Sequence, residues 1–126
     1  WSLHLSYWCI PVGFLLFGIA EISSIVTRSQ GVHTLTVGAM GMMILSMTSR
    51  VSLGHTGRNI IAGKIMSFAL VAMYFAFLAR VFGLYLFEDY TKVIITAIIC
   101  WTAAYSCFVI RYFPILTKPN ADEWPN

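Results

Sequence analysis

Apolar residues fall into four long runs along the chain, separated by short polar stretches. The runs cover residues 5–26, 33–49, 60–87 and 93–113. Each is long enough for a helix that crosses the roughly 30 Å of hydrocarbon in a membrane. Inside lipid, backbone polar groups must be satisfied within the segment, and a helix does this. The pattern therefore predicts an all-α integral membrane bundle of four transmembrane helices.

Polar residues between the runs predict the connections. We expect a turn at residues 28–31, a polar link at residues 50–59 and a turn at residues 88–92. Residues 1–116 are then expected to form one transmembrane domain. Residues 117–126 contain two prolines and charges of both signs, which is typical of a flexible polar tail.

Composition supports the same class. The chain has 126 residues, of which 59% are apolar, and a soluble fold of this size would expose too much of that surface. The lipid bilayer is therefore an expected partner. No basic run with interleaved aromatic residues is present, so we expect no nucleic-acid partner. Because Trp1 stands where an initiator methionine is expected, additional helices upstream of Trp1, or further subunits, are also expected partners.

Basic residues are divided unevenly between the two sides of the membrane. Four spans place the N-terminus, the second link and the C-terminal tail on one side. That side carries Arg50, Arg58, Lys64, Arg111 and Lys118, whereas the other carries Arg28 and Lys92, with Arg80 near it. The positive-inside rule predicts that the first side, which includes the C-terminus, is cytoplasmic.

Three histidines are the candidate metal ligands, since histidine binds haem iron, copper and zinc and also relays protons. The topology puts His4 and His55 near one side and His33 near the other, so we expect no single metal to use all three. His4 could share a site with His55, whereas His33 would need a partner from elsewhere. His33 has two interpretations: an interfacial residue that starts a helix, or an axial ligand of haem or copper.

Charged residues next to or within the spans are the other candidates. For Glu21 and Arg80 the first expectation is a structural ion pair, because a lone charge in hydrocarbon costs about 2.5–3.5 kcal/mol. The alternative is that Arg80 holds a haem propionate or polarises a ligand. Arg50 and Arg58 flank His55 and could pair with carboxylates or phosphates. Their alternative role is to set the topology of a cytoplasmic loop.

Two strings in the second span and its link resemble a known family. They are HTLTVGAMG at residues 33–41 and MTSRVSLGHTGR at residues 47–58. Arg80, Trp101 and the string RYFPILTKP at residues 111–119 are also similar to features of this family. Together they closely resemble the C-terminal part of the NnrS family.

The resemblance implies a multi-pass protein of the bacterial cytoplasmic membrane. It would contain haem and copper, would act on nitric oxide or a related small ligand, and would take part in nitrosative-stress responses. The candidate cofactor-binding positions are then His33, His55, Arg50, Arg58 and Arg80, with His4 as a further metal-ligand candidate.

Two departures from the family keep another function open. Family members have more spans than these four, and the HAHEM-like motif of the earlier spans is missing. The chain could therefore be a non-catalytic scaffold subunit of a larger respiratory or transport complex. In that case we expect it to bind its partner through the small residues of the second span. No arrangement of nucleophile, base or paired carboxylates indicates an enzymatic reaction.

Overall fold

The computed structural model describes residues 1–118, which form four long helices. They are α1 (Ser2–Ile22), α2 (Arg28–His55), α3 (Lys64–Leu86) and α4 (Tyr90–Leu116). All four are long and apolar enough to cross a membrane. The predicted fold, an all-α membrane bundle of four helices, is confirmed. The predicted polar tail lies outside the described residues, apart from Thr117 and Lys118.

Helix α2 begins earlier than its apolar run, and the turn predicted at residues 28–31 is wrong. Thr27 is the N-cap, and its backbone N–H donates to Gln30 Oε1 at 2.8 Å. A threonine followed three residues later by glutamine is a helix-start signal that hydropathy does not register. The helix therefore includes the polar residues that precede His33.

The other end of α2 also extends past its apolar run, into the link predicted at residues 50–59. The helix continues to His55 and stops at Gly57, which has a left-handed φ of 65°. The N–H of Arg58 donates to the Leu53 carbonyl at 3.0 Å, and the N–H of Gly57 donates to the Gly54 carbonyl at 3.3 Å. This pair of bonds is a Schellman C-cap. The actual connection spans residues 56–63.

The remaining helices differ from their predicted spans by a few residues at each end. Residues 23–26 and 60–63 are not helical, although both belong to predicted spans. Helix α4 starts before its predicted span because Asp89 caps it. The Asp89 carboxylate accepts the backbone N–H of Lys92 at 3.4 Å. Capping groups therefore set ends that the apolar pattern places only approximately.

Helix α2 is the central element and packs against the other three helices. Residues Thr34–Gly41 within it are wound as a π-helix. In this segment Gly38 lies between α1 and α3. A Cβ on Gly38 would be 2.8 Å from the Phe77 ring and 2.9 Å from Cys9 Sγ. A small residue is thus needed where the three helices meet.

Two apolar clusters hold the bundle together. One joins α2, α3 and α4 through residues such as Met42, Met73 and Ala104, and the other joins α1, α2 and α3 through Cys9, Ala39, Phe77 and Val81. Helices α1 and α4 are less buried than α2 and α3 and expose large apolar side chains. That exposure suits an element whose outer face contacts lipid.

Candidate functional site

The first candidate site is an open cavity of about 280 Å³ that α2, α3 and α4 line, which we call the His33 cavity. Its lining residues are His33 and Val37 from α2, Ala76 and Arg80 from α3, and Ile94, Ala97, Ile98 and Trp101 from α4. The walls are apolar except for the histidine, the arginine and the indole. The sequence had predicted that His33 and Arg80 lie at the same level, and they share this cavity.

The His33 ring is held in one tautomer. Its Nδ1 lies 2.6 Å from the backbone carbonyl oxygen of Ser29, one turn earlier in α2. A carbonyl oxygen only accepts, so Nδ1 carries the proton and donates it. In the neutral ring, the lone pair then lies on Nε2. Metal-binding histidines commonly have this arrangement, with one ring nitrogen donating to a carbonyl and the other bound to the metal.

Arg80 does not form the ion pair that the sequence predicted. Glu21 pairs instead with Arg28, with Oε1 2.7 Å from Nε and Oε2 2.9 Å from Nη2. Only the short turn after α1 separates these two residues, so they meet at the surface. Arg80 is half-buried, and its side chain has no hydrogen bond or ion pair within residues 1–118. Its charge is therefore available to an anionic group in the His33 cavity.

Gln30 joins the two sides of this cavity, and sequence analysis missed it. Its side chain is buried, and Nε2 donates to the Val81 carbonyl at 2.8 Å. The Tyr85 hydroxyl lies 3.3 Å from Gln30 Oε1, but its closer acceptor is the Ile25 carbonyl, at 2.7 Å. Gln30 lies one turn before His33, and Val81 follows Arg80. The Gln30 amide therefore joins the turn of α2 that carries His33 to the turn of α3 that carries Arg80.

The third wall of the cavity is tied to the π-helical segment. Trp101 packs on Tyr105, with ring centroids 4.6 Å apart. The Tyr105 hydroxyl donates to the carbonyl of Gly41, at the end of that segment, at 3.2 Å. Sequence analysis identified Trp101 only through family resemblance and missed Tyr105. No local pattern could have found it, because its acceptor is 64 residues away in the chain.

The opposite end of the bundle holds the other candidates. Arg58 Nη1 donates to the Ile115 carbonyl at 3.2 Å, close to the end of α4, where a cation is favourable. Arg50 and His55 line an open depression of about 340 Å³. His4 is exposed, and the packed face of α1 is formed by other residues, Ser2, Ser6, Cys9 and Gly13. The two glycines around His55 belong to the end of α2, and Gly57 is required for the C-cap.

No three His, Cys, Asp or Glu side chains come together anywhere in residues 1–118. A zinc site built from these side chains alone needs at least three of them. Haem needs only one axial histidine from the protein. The predicted metal roles of His4, His33 and His55 therefore stay predictions, and the cavity geometry favours His33.

The family model described as NnrS, NnrS protein, matches residues 1–120, which is nearly the whole chain. The chain belongs to the NnrS family. No curated protein and no solved structure matches it. The family match covers all four helices, so the predicted resemblance is confirmed and the chain is an NnrS-family membrane protein.

Proposed function

We propose that this chain is a haem-binding membrane protein that acts on nitric oxide, in which His33 would hold the haem iron. The observation that carries the proposal is the Ser29–His33 hydrogen bond, which in the neutral ring leaves the lone pair on Nε2, in a residue that lines an apolar cavity. Membership of the NnrS family supports the role in nitric oxide metabolism. Bound haem would supply an iron atom at which nitric oxide can bind.

The residues of the His33 cavity fit such a group. Ala76 and Ala97 are small, buried residues that form part of the cavity's apolar wall, where α3 and α4 pack against each other. The half-buried guanidinium of Arg80 would pair with a propionate or with a polar bound ligand. The apolar walls would exclude water and strengthen that interaction. The protein's part would be to orient His33 through Ser29 and to supply one positive charge, from Arg80, in the same cavity.

Copper is the second cofactor that the family resemblance implies. We propose it only with additional ligands, because the described part of the chain brings no three typical ligands together. His55, which lies beside Arg50 at the other end of the bundle, remains a metal-ligand candidate there, as does His4.

A scaffold function through the small residues of α2 has less support. Gly31 and Gly38 are buried, and a Cβ on either would lie within about 3 Å of Phe17 or Phe77. This face is therefore already covered within the bundle and is not free to bind a partner. The prediction that a partner docks on the small residues of α2 is therefore wrong. No other observation favours a scaffold.

The test is the absorption spectrum of the purified chain after expression with haem available. We expect a Soret band that His33→Gly abolishes and that added imidazole restores, because free imidazole can replace the missing side chain. His4→Ala is the matched control and should keep the band, since His4 lies on α1, outside the His33 cavity. A colourless but folded protein, or an unchanged band in His33→Gly, would overturn the proposal.

A further inference from the structure

A second cavity lies at the opposite end of the bundle and is richer in polar groups. It has a volume of about 230 Å³ and lies between the start of α1, the second half of α2 and the end of α4. Its polar lining residues are Ser2, Ser46, Ser49, Arg50 and Tyr112. We call it the Arg50 cavity. It shares no lining residue with the His33 cavity.

The hydroxyl groups of this cavity hold more donor protons than they use among themselves. Ser46 Oγ and Ser2 Oγ are 2.6 Å apart and share one hydrogen bond. Two hydroxyls joined by one bond leave one proton over, whichever of them donates. Both side chains are almost fully buried, and every buried side-chain oxygen in residues 1–118 has at least one hydrogen-bond partner. Ser2 Oγ accepts in this pair, so its own proton can still be donated to a ligand in the cavity.

The charge around the Arg50 cavity has one sign. The described carboxylates are Glu21, Glu88 and Asp89, which lie in the last turn of α1 and in the α3–α4 connection, at the other end of the bundle. The end that contains Arg50 carries Arg58, Lys64, Arg111 and Lys118 as well. Arg50 makes no ion pair in the described part of the chain. Its guanidinium and the nearby hydroxyls together suit an oxyanion.

The remaining wall of the cavity is apolar and includes Leu53, Ile60 and Leu70. We propose that the Arg50 cavity binds the anionic oxygens of a phosphate group, which either a lipid headgroup or free phosphate could supply. Arg50 would contact the phosphate through its guanidinium, and Ser2 or Ser46 would donate the spare proton. For a lipid, the apolar wall would cover the first carbons beyond the headgroup. This site does not depend on a cofactor at His33.

The test uses the full chain in phosphatidylcholine nanodiscs and compares two variants. Arg50→Gln removes the charge from the cavity. Arg111→Gln is the matched control, because it removes one exposed charge from the same end and does not line the cavity. Binding of radiolabelled inorganic phosphate measures the free anion. To test a lipid headgroup, phosphatidylglycerol is added to the nanodiscs. Native mass spectrometry then measures how much of it stays bound to the protein.

We expect Arg50→Gln to weaken binding of one of these ligands about tenfold, the usual size for the loss of a charge-assisted hydrogen bond. Arg111→Gln should bind like the unmodified chain. An effect on phosphate identifies the free anion, and an effect on phosphatidylglycerol alone identifies the lipid. If Arg50→Gln does not fold, Ser46→Ala should weaken the same binding. Absence of binding to both ligands, or equal losses in both arginine variants, would overturn the proposal.

Discussion

At the scale of single residues, the His33 cavity depends on backbone carbonyls as much as on side chains. The Ser29 carbonyl orients the ring of His33, the Val81 carbonyl anchors Gln30, and the Gly41 carbonyl anchors Tyr105. Two of these three bonds connect different helices. Histidines and charges are visible as candidates in a sequence, whereas such anchors become visible only when distant residues meet.

Gln30 offers a direct test of this anchoring. We expect Gln30→Leu to lower the free energy of unfolding by about 1–3 kcal/mol, because a leucine cannot replace the bond to the Val81 carbonyl and leaves the Thr27 N–H without its capping acceptor. Chemical unfolding in detergent measures the change. If haem is bound, its spectrum should shift as well, since the turn of His33 would no longer be fixed against Arg80.

Thr36→Val is the matched control for Gln30→Leu. Thr36 lies on the same helix, is exposed, and its hydroxyl bonds only within the helix, to the Val32 carbonyl at 2.9 Å. We expect this variant to change the free energy of unfolding by less than about 0.5 kcal/mol. Equal losses in the two variants would contradict the role of Gln30 as a link between helices.

At the scale of helices, the sequence predicted how many there are but not where α2 begins and ends. Four apolar runs correctly indicated four spans. The run at residues 33–49 is much shorter than α2, because Thr27 and Gln30 start the helix and Gly57 stops it. The same error hid part of the site. Ser29 and Gln30, which support the His33 cavity, were predicted to lie in a turn instead of in the helix. The π-helical winding of residues 34–41 has no signal in the hydropathy pattern.

Gly38 tests the close packing of that segment. We expect Gly38→Ala to lower the free energy of unfolding by about 1–3 kcal/mol, since the added methyl group would overlap Phe77 and Cys9. Gly18→Ala is the control, because a Cβ on Gly18 meets nothing within 4 Å. That variant should be neutral or more stable, by up to about 1 kcal/mol, given the higher helix propensity of alanine. A neutral Gly38→Ala would contradict the packing at this crossing.

At the scale of the whole molecule, the two ends of the bundle differ in charge. At the end that holds the His33 cavity, Arg28 pairs with Glu21 and Lys92 pairs with Asp89. The other end has the Arg50 cavity and no carboxylate in the described residues. The positive-inside rule counts lysine and arginine rather than net charge, and this count also favours the Arg50 end as cytoplasmic. The two candidate sites would then face opposite sides of the membrane.

Cysteine labelling in intact bacteria tests this orientation. Ser24 and Asn59 are exposed residues in the connections at opposite ends, so Ser24→Cys and Asn59→Cys form a matched pair. We expect a membrane-impermeant maleimide to label Ser24→Cys in intact cells and Asn59→Cys only after the cells are opened. The unmodified chain controls for Cys9, Cys100 and Cys107, which lie within helices. Successive spanning helices put successive connections on opposite sides of the membrane. The reverse labelling pattern would therefore place the Arg50 cavity on the side away from the cytoplasm.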